Sequence, residues 1–527
     1  MTAAADGAAA ARPAVNPWLI AIVVTLAAFM EVLDTTIVNV ALPHIAGAMS
    51  ASTDESTWTL TSYLVSNGIV LTISGSLTRL LGRKRYFLIC IAMFTVCSFL
   101  CGMSESLGQI IVFRLLQGFF GGGLQPTQQS IILDTFPPEK RAQAFAVTAL
   151  ATVVAPVLGP ALGGWITDNY SWRWIFLINI PVGIIAFMAV TALVRDPPAT
   201  REQKSTKGPF DFIGLGLIIL GLGTFQIMLD RGEDADWFTS PFIGLLAVFA
   251  VIGIGGAVVW LLRARHPIVN LRVLADRNFA VGCILIFAMA IVLYSSSVLL
   301  PQLSELQFGY TATLAGEFLV PGALALIVLI IVVGRIMPRV QTRFIIMFGY
   351  AFLGVAFLYS ASLTPDLDFW SLVKMRVFQT AGLGFLFVPI SSVTYLTLPR
   401  NLNGDAAALF TMFRNIAGSI GISLSTALLT TRSQVRMAYL GEHQTATSQP
   451  YLDTVAAITR TIEATGVPHA AAQQSAIGHL YQQLIGQSQL LAYTDVFVVC
   501  AILAFCVAPL ALLFPAVKAG GGGGAAH

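Results

Sequence analysis

Charge is what this sequence has least of. Aspartate, glutamate, lysine and arginine make up 10% of its 527 residues, where a soluble domain carries about 25%. With 56% apolar residues as well, the chain reads as an integral membrane protein. The apolar residues come in long runs, which excludes a barrel of alternating strands of roughly ten residues. Cysteine and histidine are scarce too, six of each. Cys90, Cys97, Cys101, Cys283, Cys500 and Cys506 all fall within apolar runs and form no CxxC pair. Cys97 and Cys101 lie one helical turn apart, but no histidine or third thiol is near in sequence, so packing accounts for them better than metal or redox chemistry. There is no HExxH, no phosphate-binding loop and no GxSxG. A metalloprotease, an ATP-driven pump and a serine hydrolase therefore have no support, and neither a cofactor nor a metal is expected. The small net charge of +3 gives no footing for a nucleic-acid partner.

What is present is a series of apolar runs. Fourteen candidate helices cover 18–41, 58–78, 86–104, 108–132, 142–166, 173–194, 211–229, 241–262, 279–301, 312–334, 344–363, 370–398, 405–430 and 491–514. A helix of about 20 residues at about 1.5 Å per residue crosses the ~30 Å hydrocarbon layer. Residues 1–17 read as a short tail and 515–527 as a flexible one. The first run is too long and too polar for a signal peptide, so it reads as an uncleaved span. Basic residues then orient the chain. One set of loops holds Arg79, Arg83, Lys84, Arg85, Lys140, Arg141, Arg195, Arg263, Arg335 and their neighbours, while the opposite set holds Arg173, Arg231, Arg432, Arg436 and Arg460. Both termini are thus expected in the cytoplasm, with the acidic loop Asp230 to Phe238 outside. The outer loop 431–490 has Val455, Ile458 and Ile462 at helical spacing. A surface loop with a short amphipathic helix and a docking element for an external partner both fit that pattern.

The chain repeats itself. RLLQGFFGGGLQP (Arg114 to Pro126) and RVFQTAGLGFLFVP (Arg376 to Pro389) share Arg-x-x-Gln, small residues and then proline. The basic loop after the second span has a counterpart after the tenth. Setting aside spans seven and eight makes these correspondences regular. The expected architecture is all-α, with six-helix bundles at 18–194 and 279–514 and an inserted helix pair at 211–262. Two parallel repeats about a midplane site describe the major facilitator fold.

Two carboxylates interrupt the first span. An acid inside a membrane helix costs roughly 2.5–3.5 kcal/mol on insertion scales, and a spacing of three puts Glu31 and Asp34 on one face. Asp34 and Arg114 each lie about six to seven residues, ~10 Å, from the outer end of their spans. A pair is geometrically possible. An arginine favours the ionised acid and apolar burial the neutral one, so a balanced site can load and release a proton; a static pair that only fixes packing is the other reading. Glu31, one turn deeper, fits a second protonation site, a seat for a cationic substrate or a solvated cavity wall. Gln117, Gly121 and Gln125 continue the face of Arg114, and Tyr63 and Asn67 are four apart on the second span. These either line a cavity or make interhelical hydrogen bonds. Arg376, Gln379 and Arg414 bring polarity and positive charge to the second half, where the arginines either recognise anionic compounds or pair internally. Lys374 reads as snorkelling outward and Glu317 as lying at headgroup level. Pro156, Gly159, Pro160, Gly163 and Gly164 in APVLGPALGG remove bulk and backbone donors. They predict a kinked helix that packs tightly between the halves.

The sequence resembles the fourteen-span drug:proton antiporters of the major facilitator superfamily, and among them the EmrB-type multidrug efflux pumps. The resemblance rests on LDTTIVNVALP (Leu33 to Pro43), GSLTRLLGRKR (Gly75 to Arg85), RLLQG (Arg114 to Gly118), APVLGPALGG (Ala155 to Gly164), QIMLDRGEDADWF (Gln226 to Phe238) and FRNIAGSIG (Phe413 to Gly421). It implies proton-driven export of hydrophobic compounds, with Asp34 and Arg114 functional and the APVLGPALGG segment marking an exporter. It also implies a cytoplasmic gating loop at Gly75, Gly82, Arg83 and Lys84, a bacterial inner membrane, and a periplasmic adaptor and outer-membrane channel as partners. The superfamily's usual aspartate in that loop is replaced by Arg79, so a gate latch built on that acid does not carry over. A transporter of one specific solute working without partners is the alternative, and a membrane-embedded enzyme a more distant one.

Overall fold

A computed structural model describes residues 16–149, 154–194, 210–365, 367–399, 402–442 and 448–515. Among these residues there are helices, turns and no strand. That is the expected response of apolar backbone to a medium without water, where each peptide group must find its partner inside its own segment. Short polar side chains start several helices. Asn16 Oδ1 accepts from the Trp18 amide at 3.0 Å to open α1 (Pro17–Ala48). Asp276 accepts from the Phe279 amide at 2.8 Å, and Asp368 from the Ser371 amide at 3.1 Å.

The first half continues with α2 (Trp58–Leu81), α3 (Arg83–Gly102), α4 (Leu107–Gly121) and α5 (Leu124–Thr135). It closes with α6 (Pro138–Ala149), α7 (Ala155–Asn169) and α8 (Asn179–Leu193). Gly82 ends α2 and begins α3 at φ 86°, a backbone angle that favours glycine. The inserted pair is α9 (Phe212–Arg231) and α10 (Pro241–Arg263). The second half comprises α11 (Arg277–Phe308), α12 (Val320–Ile336), α13 (Thr342–Ser360), α14 (Phe369–Gly384) and α15 (Phe387–Thr394), then α16 (Asn403–Gly441), α17 (Gln449–Glu463) and α18 (His469–Val507).

Thirteen helices among the described residues are long and apolar enough to span a bilayer, against fourteen expected. The span expected at 142–166 divides between α6 and α7, and residues 150–153 lie outside the described residues. The surface is inverted as a bilayer requires. Side chains such as Val251 (73% exposed) and Val328 (60%) face outward, while the interior holds arginine, glutamate and glutamine.

Within the first half α2 packs on α4, α3 on α4 and α8, and α1 on α7 and α8. Within the second, α11 packs on α16, α12 on α14, and α13 and α16 on α18. The halves meet where α16 crosses α2 and α5 and where α15 lies on α6. The pair α9 and α10 crosses glycine on glycine, with Gly221 against Gly253. It leans on both halves: Arg231 Nη1 donates to Thr57 Oγ1 at 2.6 Å just before α2, and Ser423 Oγ of α16 donates to the Leu229 carbonyl at 2.9 Å.

The outer segment 431–490 holds the short amphipathic helix expected there, but the helices on either side of it run far beyond their expected ends. α16 and α18 each run for 39 residues, or about 58 Å, well beyond the ~30 Å of hydrocarbon. Arg432 Nε and Arg436 Nη2 bind the Asp495 carboxylate at 2.8 and 2.7 Å and tie the two helices together. The amphipathic helix α17 lays Val455, Ile458 and Ile462 on Ala476 and Leu480 of α18. Hydropathy misses these extensions because buried Ala and Leu such as Ala472, Ala476, Leu480 and Leu484 alternate with polar Gln. Ala476 is 0% exposed, so Ala476→Glu buries an unpaired charge. Trypsin cleavage after Arg460 is expected to quicken by about tenfold or more, since a buried carboxylate costs well above the ~1.4 kcal/mol of a tenfold opening. Thermal unfolding of the membrane helices should stay close to wild type. An unchanged cleavage rate would contradict this packing.

Candidate functional site

Asp34 of α1 is 1% exposed and Arg114 of α4 is 0% exposed. Arg114 Nη1 donates to Asp34 Oδ2 at 2.5 Å. The other carboxylate oxygen accepts from Gln117 Nε2 at 3.1 Å and from Asn179 Nδ2 at 2.8 Å. Arg114 Nε donates to the Thr59 carbonyl at 3.2 Å, and its guanidinium lies 4.0 Å from the centre of the Tyr63 ring. The motif after Arg114 makes this reach possible. A Cβ at Gly118 would strike the Tyr63 carbonyl, and one at Gly122 the Asn67 carbonyl, so α2 and α4 touch backbone to backbone. Asn179 was not singled out in the sequence. Its one signal is an amide side chain at the start of an apolar run, which asparagines capping helices share.

Glu31, 2% exposed, has a different shell. Its carboxylate accepts from Tyr63 OH at 3.2 Å, from Asn67 Nδ2 at 2.9 Å and from Gln125 Nε2. These donors are neutral. The carbonyl end of Gln125 in turn accepts from Arg414 Nη2 of α16. Glu31, Gln125 and Arg414 thus form one chain across the contact between the halves. Gln117 belongs to the Asp34 shell instead.

Arg376 and Gln379 are not brought to this chain. They lie inside the second half and copy the first with one change. Gln379 Nε2 donates to Ser360 Oγ at the end of α13 at 2.9 Å, where Gln117 meets Cys101 near the end of α3 at 3.6 Å. Arg376 donates to Ser296 Oγ at 3.2 Å and Ser297 Oγ at 3.3 Å on α11, the place that α1 fills with Asp34.

The segment expected to pack between the halves does so only in part. A Cβ at Gly159 would collide with Thr36 Oγ1, and one at Gly163 would fall 2.9 Å from the Ile37 carbonyl. Both glycines therefore serve α1 of their own half, two and three residues from Asp34. The cross-half contact is instead made by Ala161, against which Gly316 lies without room for a side chain. Pro156 sits in the first turn of α7 and Pro160 within it. Gly164 is buried.

On the face bearing the basic loops, Arg79 of α2 forms an ion pair with Asp405 of α16. A Cβ at Gly75 would lie 2.7 Å from Asp405 Oδ1, so that glycine admits the acid. Asn403 Nδ2 donates to Asp134 Oδ1 at 2.8 Å, and Asp134 also pairs with Arg83. Lys84 Nζ donates to the Thr191 carbonyl at 2.7 Å. At the opposite face Thr313 Oγ1 donates to Asp168 Oδ2 at 2.9 Å. Contacts thus bridge the two halves at both faces.

Residues 24–422 match the family model of the Major Facilitator Superfamily. The chain belongs to the major facilitator superfamily. It is 36% identical over 511 residues to the multidrug export protein EmrB of Escherichia coli (strain K12), covering 97% of this chain and 98% of that one. It is 38% identical over 426 residues to the multidrug export protein EmrB of Haemophilus influenzae, covering 81% and 83%. Among solved structures, the proton:xylose symporter XylE bound to 6-bromo-6-deoxy-D-glucose superposes with a TM-score of 0.57 at 13% identity, covering 92% of this chain and 94% of that one. That likeness is one of fold.

Arg79, where the resemblance implies an acid, still joins the halves, because Asp405 supplies the opposite sign on α16. The pair predicts a charge-swap result. Arg79→Asp and Asp405→Arg should each slow transport several-fold, and the double reversal should recover to within about twofold of wild type, as expected of two residues coupled directly. Transport rates in vesicles with matched expression measure it. A double variant as slow as the product of the singles would show that the two residues do not act on transport as a pair.

Proposed function

We propose that the protein is a proton-driven exporter of hydrophobic and amphipathic toxic compounds, taking them from the cytoplasm or the inner leaflet. The observation that carries this reading is the fully buried Asp34–Arg114 pair with its shell of Gln117, Asn179 and Thr59. Arg114 and a proton are alternative counter-ions for Asp34. A proton arriving from outside releases the guanidinium to the Thr59 carbonyl and Gln117 Oε1, which it already contacts. Proton loss to the other side restores the pair. Glu31, held by neutral donors, takes up a proton without separating an ion pair and is the second group in the exchange. Each proton moving down 100 mV supplies about 2.3 kcal/mol, enough for roughly 50-fold accumulation. Two relatives named as multidrug export proteins over most of the chain support the direction of transport.

We place the chain in a bacterial inner membrane with both termini cytoplasmic, following the basic loops. The extensions of α16 and α18 then project into the periplasm. With α17 they present Val435, Tyr439, Leu452, Ile477 and Tyr481, all exposed, as the surface for a periplasmic adaptor leading to an outer-membrane channel.

In proteoliposomes with an imposed pH gradient, Asp34→Asn is expected to insert normally and to export substrate at background rate. Wild-type export by that variant would end the coupling scheme. Copurification with an adaptor should survive Asp34→Asn and be lost when residues 442–487 are replaced by a short linker. Retention of the adaptor by the shortened chain would move the docking surface elsewhere.

A further inference from the structure

The two halves carry matching basic loops and use them differently. Between α2 and α3 the protein engages the loop itself: Arg79 pairs with Asp405, Arg83 with Asp134, and Lys84 donates to the Thr191 carbonyl. The counterpart between α12 and α13 carries Arg335, Arg339 and Arg343. None of these three forms an ion pair among the described residues. Their hydrogen bonds stay within the turn. Arg339 Nη1 donates to the Arg335 carbonyl at 3.4 Å, and Arg343 Nε to Gln341 Oε1 at 2.9 Å. Arg335 and Arg339 are exposed and Arg343 is half-buried. Like charges spaced four residues apart repel one another, so the turn holds a positive potential that no carboxylate among the described residues offsets.

An apolar groove of about 180 Å³ lies beside these arginines, where α12 ends and α13 begins. Each arginine immediately precedes one of its lining residues: Arg335 before Ile336, Arg339 before Val340, Arg343 before Phe344. The Arg343 guanidinium lies 4.9 Å from the centre of the Phe344 ring. Of the other lining residues, Val333 and Ile345 are buried, while Val340, Phe344 and Phe348 are exposed, so the groove opens at the surface of the molecule. It reaches Phe348, roughly 9 Å along α13 from its first residue, Thr342. The groove therefore runs from the charged turn into the depth of the acyl chains. An apolar cavity of about 150 Å³ takes up benzene, so this groove accommodates a stretch of hydrocarbon of that size. At its mouth the guanidinium groups suit a phosphate, whose oxygens accept from them, and a zwitterionic headgroup would bring a cation to the same place. We propose that the groove seats one acyl chain of an anionic phospholipid, with its phosphate on Arg335, Arg339 and Arg343. The lipid then fastens α12 to α13 on the face of the basic loops, where juxtamembrane clusters of arginine attract anionic headgroups. This inference goes beyond the export reading and needs only the placement of the chain in a membrane.

Native mass spectrometry of the full chain, delipidated in maltoside detergent and given equal amounts of dioleoyl-phosphatidylglycerol and dioleoyl-phosphatidylcholine, tests it. The first lipid retained should be phosphatidylglycerol by at least about tenfold, the scale expected of several arginines near an anionic headgroup. Replacing Arg335, Arg339 and Arg343 together by glutamine should bring the two lipids to within about twofold of each other. Val340→Trp fills the groove, leaves the arginines in place and should also remove the tightly held phosphatidylglycerol. Replacing Arg263, Arg265 and Arg277, exposed on the same face, should leave the preference as in wild type. Millimolar glycerol phosphate should not displace the lipid. Should Val340→Trp fail to fold, the arginine variants decide, since their side chains lie at the surface. Equal retention of the two lipids, a preference that survives the triple replacement or the filled groove, an equal loss in the control triple, or displacement by glycerol phosphate each overturns the site. Neither substrate nor gradient enters the measurement. Asp34→Asn should keep the lipid, and a chain lacking this site would still pass the pH-gradient test.

Discussion

Everything near the centre of the first half answers to one constraint: an aspartate and an arginine have been placed where water does not reach. At low effective dielectric their attraction is strong, yet the desolvation of both charges is of similar size. The balance holds only if the remaining oxygens and nitrogens are also engaged. That explains why Asp34 accepts from an arginine, a glutamine and an asparagine drawn from two different helices. It explains why Arg114 uses a backbone carbonyl and the face of Tyr63 besides. It also explains the glycines: Gly118 and Gly122 bring α2 against α4, and Gly159 and Gly163 bring α7 against α1. A larger residue at any of them would lengthen contacts that this pair needs short.

The second half shows what the same scaffold does when the acid is left out. The Arg-x-x-Gln turn, the glutamine contact to the end of the preceding long helix and the approach of the arginine to the half's first helix all recur. Serines 296 and 297 stand where the aspartate would be. The two halves thus share a frame and differ in charge, the first giving its arginine an acid and the second giving its arginine only serines. A molecule that rocks one half on the other moves that imbalance relative to the carboxylates of α1.

Much of the frame was legible in the sequence because membrane burial leaves long signals. Apolar runs locate the membrane helices, falling short only where α1, α11, α16 and α18 run on past the apolar stretch, and the matched depth of Asp34 and Arg114 anticipated their contact. What was hidden depended on partners far apart in the chain. Nothing local marks Asn179 as the third ligand of Asp34, or tells Arg376 from Arg114 without knowing that serines face it. The reversal at Arg79 looked like the loss of a latch, since the compensating Asp405 sits 326 residues away. The proline and glycine segment signalled close approach but not to which neighbour, and most of it turned toward α1. In the outer segment the helical spacing of Val455, Ile458 and Ile462 announced α17, while the extensions of α16 and α18 stayed hidden because hydropathy detects lipid-facing length.

The inserted pair touches both sides of one contact. Arg231 grips the start of α2, and the carbonyl of Leu229 on the same helix takes a hydrogen bond from Ser423 of α16. A strap fastened to two moving bodies leaves them free to slide but not to gape. Along that edge, parting the halves would cost one of these two hydrogen bonds. At the other edge α7 meets the short helix Ala312–Glu317 directly, and Gly316 rests on Ala161. Two extra helices therefore brace one edge of the contact between the halves and leave the other to the halves themselves.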